Sequence, residues 1–162
     1  MRNLCAVLDW GGLAEAAVAH ELNVFPLPDG LEFSRAICLT NSYGTSYAAL
    51  CGPHLLRVKE RDTLLVHGAA GGVGMAAIEI GKILGATVIA TAGSEEKLAV
   101  AREHGADHGI NYREGEFRQK VLEITDGRGA NAIYDPVGGD VFVQSLRCIA
   151  PAGRIMPLGF AG

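Results

Sequence analysis

The 162-residue sequence is poor in aromatic side chains and carries little net charge, and each shortage excludes a class of function. Aromatic residues make up 6% of the chain, which is too few to form a stacking platform for single-stranded bases. The formal net charge is −4 and the basic residues form no run or stripe, so a nucleic-acid surface is not expected. No apolar run approaches the ~18 residues of a membrane span, and the first residues lack a signal-peptide pattern. We therefore expect a cytoplasmic protein without nucleic-acid or membrane partners.

Cysteine is also scarce, with four residues and no C-x-x-C pair among them. They are scattered at Cys5, Cys38, Cys51 and Cys148, and none belongs to a Cys/His cluster with metal-ligand spacing. Such isolated cysteines are typical of small buried side chains in a reducing compartment. With 49% apolar and 20% charged residues, the chain is expected to form one soluble globular domain, or one domain and part of another.

Glycine, by contrast, is abundant, and it clusters between Thr63 and Gly74. This segment begins as an apolar, strand-like stretch, breaks into a glycine-rich loop and continues as a helix. Ala69, Gly71 and Gly74 hold the spacing of the dinucleotide fingerprint, with alanine in place of the first glycine. A loop without bulky side chains can approach a pyrophosphate closely, and the N–H groups of a helix N-terminus attract the anion. The segment therefore predicts a phosphate-binding loop; the alternative is an ordinary glycine-rich turn between a strand and a helix.

The residues around this loop predict a βαβ unit. Apolar residues recur at helical spacing as far as Leu84, Gly85 is placed to end the helix in a left-handed conformation, and 86–91 has the composition of a buried strand. Further predicted elements are a helix near 94–104 with Ser94 as its N-cap, a strand near 108–112, a helix at about 114–125, a strand at 130–135, a helix at 139–148 and a strand at 153–158. This alternation predicts an α/β fold of the Rossmann type, a parallel sheet with helices on both faces that binds ligands at the carboxyl ends of its strands.

The chain before the loop has a different texture. Residues 1–9 and 12–20 are predicted to be short strands, and residues 23–30 are predicted to be extended and to end in a turn. These strands are too few to bury a core of their own. Residues 32–51 predict two short helices that meet near Asn41.

Six short motifs, in this order along the chain, match the pattern of one known family. They are His67-Gly-Ala-Ala-Gly-Gly-Val-Gly74, Thr91-Ala-Gly-Ser94, Gly105-Ala-Asp107, Ile110-Asn-Tyr112, Tyr134-Asp-Pro-Val-Gly-Gly139 and Gly159-Phe-Ala-Gly162. On these motifs the chain resembles the quinone oxidoreductase (zeta-crystallin-like) branch of the medium-chain dehydrogenase/reductase superfamily. The resemblance implies that residues 1–30 are the tail of a GroES-like catalytic domain, and that residues 31–162 are a dinucleotide-binding Rossmann domain without its last elements.

The same resemblance implies an activity. It implies zinc-independent transfer of a hydride from NADPH to a quinone or an activated alkene, with NADH as the less favoured cofactor and a homodimer as the full-length state. The protein would supply orientation and the exclusion of water. Two alternatives stay open, an NADPH-binding fragment without turnover and a relative of the zinc-type alcohol dehydrogenases, because a fold carries function only by analogy.

The pyrophosphate of the cofactor is expected at the glycine-rich loop. Gly71, Gly72 and Val73 would place backbone N–H groups against it. Ala69 and Ala70 would line the same turn through their small size.

The 2′-phosphate is expected at the end of the second predicted strand. Enzymes that prefer NAD usually carry Asp or Glu about twenty residues after the glycines, but here the chain continues with Gly93 and Ser94. In the family, a lysine at the position of Lys97 and a tyrosine at that of Tyr112 contact this phosphate. The alternatives are a Lys97 on a solvated helix face and a Tyr112 packed at a strand end, and the two glutamates that follow Ser94 disfavour another anion.

The resemblance also places Thr45, Leu158 and Phe160 beside the nicotinamide, and it implies that Val137, at the end of the fourth strand, faces the cofactor. The alternative for Thr45 is a simple helix cap. Zinc enzymes of the superfamily carry a cysteine ligand four residues before this threonine, where the present chain has Asn41, and Cys38 lies three residues too early. His67 follows a buried strand, where a histidine is more often packed and hydrogen-bonded than catalytic. No metal site and no catalytic acid or base is therefore predicted.

Overall fold

The computed structural model describes Glu15 and residues 18–159. The strand predicted at 1–9, Cys5, most of the strand predicted at 12–20, and Phe160 lie outside the described residues. Residues 18–20 form no strand, which corrects that part of the prediction. Val18 is 94% exposed, so it lacks the packing that favours an extended chain, and His20 instead caps a 3-10 turn at Glu21–Asn23 by accepting the N–H of Leu22 at 3.2 Å.

A parallel sheet organises the described part of the chain. Its five strands are β1 (Thr63–Val66), β2 (Thr87–Ala92), β3 (His108–Asn111), β4 (Ala130–Asp135) and β5 (Ile149–Pro157). They are ordered β3-β2-β1-β4-β5, and Val66 lies opposite Ala90 of β2 and Tyr134 of β4. The strand order reverses between β1 and β4, which creates the crevice where such sheets bind ligands. The predicted Rossmann-type sheet is confirmed.

Helices cover this sheet. Those of the described residues are α1 (Phe33–Cys38), α2 (Gly44–Cys51), α3 (Gly72–Ile83), α4 (Glu95–Glu103), α5 (Phe117–Ile124) and α6 (Gly139–Ser145). Between α1 and α2 the chain forms a π-helical turn at Leu39–Tyr43. The predicted pair of short helices that meet near Asn41 is therefore confirmed, with a wider turn at their junction than a regular helix has.

Three local predictions are confirmed, because each depends on one residue that sets the conformation of its immediate neighbours. Gly85 has a φ of +79° after α3, a left-handed conformation that glycine adopts without a steric penalty. Ser94 caps α4, its hydroxyl accepting the N–H of Lys97 at 3.4 Å. The turn predicted at the end of 23–30 forms at Gly30, whose φ is also +79°.

The helix predicted at 114–125 begins later than expected, at Phe117. Tyr112–Glu114 forms a 3-10 turn instead, in which the Asn111 side chain accepts the N–H of Arg113 at 3.1 Å and donates to the Glu114 carboxylate at 2.6 Å. Gly115 follows with a φ of +141°, which a helix cannot continue through. A local side-chain hydrogen bond thus replaces the first helical turn.

The helix predicted at 139–148 is shorter than expected and ends at Ser145, while β5 starts four residues before the predicted strand at 153–158. Ala130 pairs with Ile149, and the register then shifts so that Ala132 pairs with Arg154. Ala152 lies within this irregular part and has a φ of +60°. The alternation of residues along the strand is broken there, so the sequence pattern predicted only the second half of β5.

The core lies on both faces of the sheet. Leu64 and Val66 of β1 pack into a cluster with α2, α3 and α4, whereas the intervening Leu65 faces a second cluster with α5. Cys148 is buried in this second cluster, as predicted. Cys38 is exposed, contrary to the prediction, because α1 has no buried residue. Cys51 is only partly buried.

Candidate functional site

The glycine-rich loop connects β1 to α3 by a tight turn at the carboxyl edge of the sheet. Gly68 has a φ of +57°, and Gly71 is the N-cap of α3. A Cβ atom on Gly74 would overlap the carbonyl oxygen of Gly68 and lie 2.8 Å from Cα of Ala69. Glycine at position 74 therefore lets the first turn of α3 pack directly against the end of β1, which is the role of the third glycine in the fingerprint.

The amide groups at the start of α3 are left available to a ligand. Gly71 has no side chain that could cap them, and Gly71 and Gly72 are exposed. A Cβ on Gly72 would lie 3.0 Å from the hydroxyl of Ser42, so the loop is closely bounded by the π-helical turn. The positive end of the 12-residue helix α3 faces the same space. The N–H of Gly71 is not available to a ligand, because it bonds to the Gly68 carbonyl at 2.9 Å, which corrects its predicted role as a donor to the pyrophosphate. The loop still fits a pyrophosphate, because the N–H groups at the start of α3 are open and its small residues permit close approach.

A cavity of about 280 Å³ lies beside the loop, at the end of β2. It is lined by Gly68, Ala70, Gly71, Ala92, Gly93, Lys97 and Tyr112. Five of these residues were predicted at the cofactor site from the sequence. No carboxylate lines the cavity, and the Glu95 carboxylate, which the sequence placed close to it, accepts a hydrogen bond from Arg102 at 3.3 Å. The cavity can therefore accept an anion beside the Lys97 ammonium group.

A second cavity, of about 170 Å³, is more apolar and shares a wall with the first. Its lining residues are His67, Gly68, Thr91, Tyr112, Phe117, Val137 and Val141. Tyr112 and Gly68 line both cavities. The sequence analysis did not place Phe117 and Val141 at the site; the available signal was their position in the first turns of α5 and α6, which begin at the carboxyl edge of the sheet.

His67 is a buried structural residue. Its Nδ1 lies 2.9 Å from the Thr91 hydroxyl and its Nε2 lies 2.9 Å from the Ser145 hydroxyl. Because Ser145 donates its own proton to the carbonyl of Val141 at 2.8 Å, the Nε2 atom carries the imidazole proton and Nδ1 accepts from Thr91. Burial lowers the pKa of His67 to about 4, against an opposing effect of the Asp135 carboxylate. The packed, hydrogen-bonded role predicted for His67 is confirmed.

Thr45 is half-buried in the first turn of α2, between two residues that anchor this helix. On one side Ser46 donates its hydroxyl to the carbonyl of Val73 at 2.9 Å and lies 2.8 Å from the Tyr134 hydroxyl. On the other side the Tyr43 hydroxyl donates to Glu79 of α3 at 2.6 Å. These anchors fix the position of Thr45 relative to the glycine-rich loop.

Glu79 also accepts from His104, at 2.6 Å. Burial opposes ionisation of Glu79, but the hydrogen bonds from Tyr43 and His104 outweigh it and hold the pKa of Glu79 below its usual value. The hydrogen bond between Tyr43 and Glu79 also raises the pKa of Tyr43. Tyr43 is therefore a neutral donor to a carboxylate at pH 7, and its proton is committed to Glu79.

The loop after β4 packs against the glycine-rich loop. Asp135 is buried, and its Oδ1 accepts the N–H groups of Val137 at 2.9 Å and Gly138 at 3.0 Å. A Cβ on Gly68 would lie 3.3 Å from Pro136, and the N–H of Leu158 bonds to the Asp135 carbonyl at 2.8 Å. The structure thus brings Val137 and Leu158 to the edge that carries the loop, while Phe160 lies outside the described residues.

Neither a metal site nor a membrane span is found in the described part of the chain. No three histidine, cysteine or acidic side chains converge there as metal ligands, and both nitrogens of His67 already have partners. Asn41 lies in the π-helical turn and Cys38 at the end of α1. None of the described helices has both the length and the apolar character needed to cross a bilayer.

Known proteins are similar to this chain in sequence and in fold. The family model of zinc-binding dehydrogenases matches residues 72–162. A quinone oxidoreductase-like protein 2 homolog of Nematostella vectensis is 43% identical over 152 residues, which are 93% of this chain and 41% of that protein. The chain thus spans about two fifths of the length of this relative.

Two solved structures are also similar to this chain in sequence and in fold. A 2-haloacrylate reductase is 37% identical with a TM-score of 0.76, over 84% of this chain and 42% of its own. A mycobacterial protein solved in complex with NADPH is 34% identical with a TM-score of 0.78, over 84% and 42%. These identities are high enough that the likeness reaches beyond the fold.

Proposed function

Because the chain belongs to the quinone oxidoreductase branch of the medium-chain dehydrogenase/reductase superfamily, we propose that it provides the nucleotide site of an oxidoreductase that uses NADPH. This proposal depends mainly on one observation. The open N-terminus of α3 adjoins a cavity that is lined by Lys97 and Tyr112, at the carboxyl edge of the sheet. Residues 31–162 are the Rossmann unit in this proposal, and residues 1–30 are the tail of a GroES-like domain. The full-length protein is proposed to be a cytoplasmic homodimer.

The three parts of the nucleotide correspond to three parts of the site. The pyrophosphate would lie against the amide groups of Gly72 and Val73, with Gly71 beside it as a residue without a side chain. The adenine ring would occupy the more apolar cavity, between Tyr112 and the Phe117 side of the crevice. Val137 lines the same apolar cavity, and the nicotinamide would extend along the edge of the sheet toward Thr45, Leu158 and Phe160.

The end of β2 favours NADPH over NADH. A carboxylate at this position would bond to a ribose 2′-hydroxyl and repel a 2′-phosphate. β2 ends at Ala92 and is followed by Gly93 and Ser94, so no carboxylate stands there. Lys97 lies in the first turn of α4, where its charge and the helix N-terminus both favour an anion. The mycobacterial relative in complex with NADPH supports the same choice.

The proposed reaction is the reduction of a quinone or an activated alkene, in accordance with the names of the relatives. The reduced nicotinamide supplies a hydride when bound. The residues of this chain bind and orient the cofactor, and the hydrogen bonds of Ser46 and Tyr43 hold Thr45 in place. The described residues do not offer the ligands of a zinc ion, so no step is assigned to a metal.

Replacing Lys97 tests the cofactor assignment. In Lys97→Ala we expect the affinity for NADPH to fall about tenfold, the equivalent of one charge-assisted hydrogen bond of roughly 1.5 kcal/mol, and the affinity for NADH to stay unchanged. Isothermal titration of both cofactors into both proteins measures this. Lys59→Ala is the matched control, because Lys59 is exposed and precedes β1 at the opposite edge of the sheet. Equal NADPH affinities of Lys97→Ala and the unsubstituted chain would contradict the assignment.

A binding module without turnover is the second candidate, because the chain spans only 41% of the curated relative. Oxidation of NADPH with a simple quinone as acceptor distinguishes the two candidates. Tight NADPH binding without oxidation would favour the binding module.

A further inference from the structure

Arg113 lies beside the end of β2, although twenty residues separate it from Gly93 in the sequence. A Cβ on Gly93 would lie 2.8 Å from the Tyr112 hydroxyl and 3.3 Å from Nε of Arg113. The side chains of Tyr112 and Arg113 therefore occupy the space that the side chain of any other residue at position 93 would need. The register explains this approach, because Ala92 of β2 lies opposite Asn111 of β3.

The turn that carries Arg113 is held by its own hydrogen bonds. Asn111 is buried, and its side chain accepts the N–H of Arg113 at 3.1 Å and donates to Glu114 at 2.6 Å. The 3-10 turn at Tyr112–Glu114 therefore presents Tyr112 and Arg113 from a fixed backbone. Two consecutive polar side chains are in this way directed to the same strand end.

The charge of Arg113 is not neutralised within the part of the chain that the structure describes. No carboxylate there forms an ion pair with its guanidinium group, whereas the adjacent Glu114 is bonded to Asn111 and Glu95 is paired with Arg102. Lys97 likewise forms no ion pair among these residues and lines the cavity at Gly93. Two cations thus flank a strand end that carries no acidic residue.

We propose that Arg113 is a second cationic ligand of the 2′-phosphate of NADPH and sets the preference for NADPH, an assignment that rests on the NADPH site proposed above. A phosphate monoester offers oxygens to several donors at once. The planar guanidinium group can donate two hydrogen bonds to them, Lys97 adds a compact charge, and the Tyr112 hydroxyl adds a third donor. Gly93 is the residue that lets Tyr112 and Arg113 reach this position.

The test measures the contribution of the 2′-phosphate alone. Adenosine 2′,5′-bisphosphate and adenosine 5′-monophosphate differ only in that group, and both are titrated into the whole chain, followed by NADPH and NADH. For Arg113→Gln we expect the affinities for the bisphosphate and for NADPH to fall about tenfold, as for one hydrogen-bonded charge, with the monophosphate and NADH unchanged. Arg113→Lys retains the charge and should recover part of the loss.

Arg61→Gln is the matched control, because it removes the same charge from a side chain that is 90% exposed just before β1, at the opposite edge of the sheet. Its ratio of NADPH to NADH affinity should equal that of the unsubstituted chain. If Arg113→Gln and Arg61→Gln give the same ratio while the unsubstituted chain prefers NADPH, the role of Arg113 is refuted and the proposed function stands. If the unsubstituted chain binds neither NADPH nor the bisphosphate, both proposals fail.

Discussion

At the scale of single residues, His67 shows how burial removes the usual chemistry of a side chain. It follows β1 directly, next to the loop that is proposed to bind the cofactor, yet both of its nitrogens are bonded within the protein. Its ring also packs against Phe117, with ring centroids 4.9 Å apart and an angle of 70° between the ring planes. His67 therefore joins β1, β2 and α6 beneath the site as a neutral group, and its charge is excluded by desolvation.

This burial predicts a loss of stability in acid. The pKa of His67 is about 4 in the folded chain and near 6.5 in the unfolded chain, so the unfolded state binds the extra proton first as the pH falls. The stability is unaffected above about pH 6.5 and decreases from there toward pH 4, with about 2 kcal/mol lost between pH 7 and pH 5. Urea unfolding at both pH values measures it.

His67→Gln is the control for this prediction, since glutamine can bond to Thr91 and Ser145 but does not titrate. The variant is expected to be less stable at pH 7 but to lose about 2 kcal/mol less than the unsubstituted chain between pH 7 and pH 5. The pair of His104 and Glu79 is present in both proteins, so its contribution cancels. An equal loss of stability between pH 7 and pH 5 in both proteins would contradict the prediction, because it would mean that His67 has the same pKa in the folded and the unfolded chain.

At the scale of elements, the unit formed by β1, the glycine-rich loop and α3 combines close backbone packing with the proposed binding of the pyrophosphate. Gly74 is central to both, because the atoms that surround its missing side chain are backbone atoms of Gly68 and Ala69. Backbone atoms cannot rotate away as a flexible side chain can. A larger residue must therefore displace the start of α3 from the end of β1.

For Gly74→Ala we expect a loss of about 2 kcal/mol of unfolding free energy, within the range for overpacking, and at least a tenfold loss of NADPH affinity. Urea unfolding and cofactor titration measure the two effects. Gly44→Ala is the control, since its Cβ would lie 3.4 Å from the Leu39 carbonyl oxygen, an ordinary contact at the start of another helix. A Gly74→Ala protein as stable as the control would mean that α3 can move without cost.

At the scale of the whole molecule, the proposed cofactor would connect elements that are distant in sequence. α2, the loop after β1, the ends of β2 and β3 and the loop after β4 all contribute to one edge of the sheet. A ligand that contacts all of them binds the folded chain and not the unfolded one. Binding should therefore stabilise the entire described sheet rather than one part of it.

We expect NADPH at one hundred times its Kd to stabilise the chain by about 2.7 kcal/mol and to raise Tm by roughly 8 °C in a single transition. Differential scanning calorimetry with and without NADPH measures this. NADH at the same concentration should give a smaller shift, and the shift with NADPH should shrink in Lys97→Ala. An unchanged Tm in saturating NADPH would contradict the proposed site.

The sequence by itself determined the features that depend on near neighbours. The strand at 130–135, the ends at Gly85 and Ser94, and the loop from Gly68 to Gly74 were predictable, because hydrophobic period, capping and glycine spacing act within a few residues. The order of these elements was enough to predict the Rossmann-type sheet. Local rules failed where a side chain competed with the backbone, as Asn111 does before α5, or where the register shifts, as it does in β5.

Only the tertiary structure decided which distant residues meet. The approach of Arg113 to Gly93 depends on the register of β2 with β3, and the joint lining of one cavity by Phe117 and Val141 depends on where α5 and α6 begin. The bond from Tyr43 to Glu79 likewise joins residues 36 positions apart. A pattern along one chain carries no information on such distances, because strand pairing and helix packing set them once the whole core has formed.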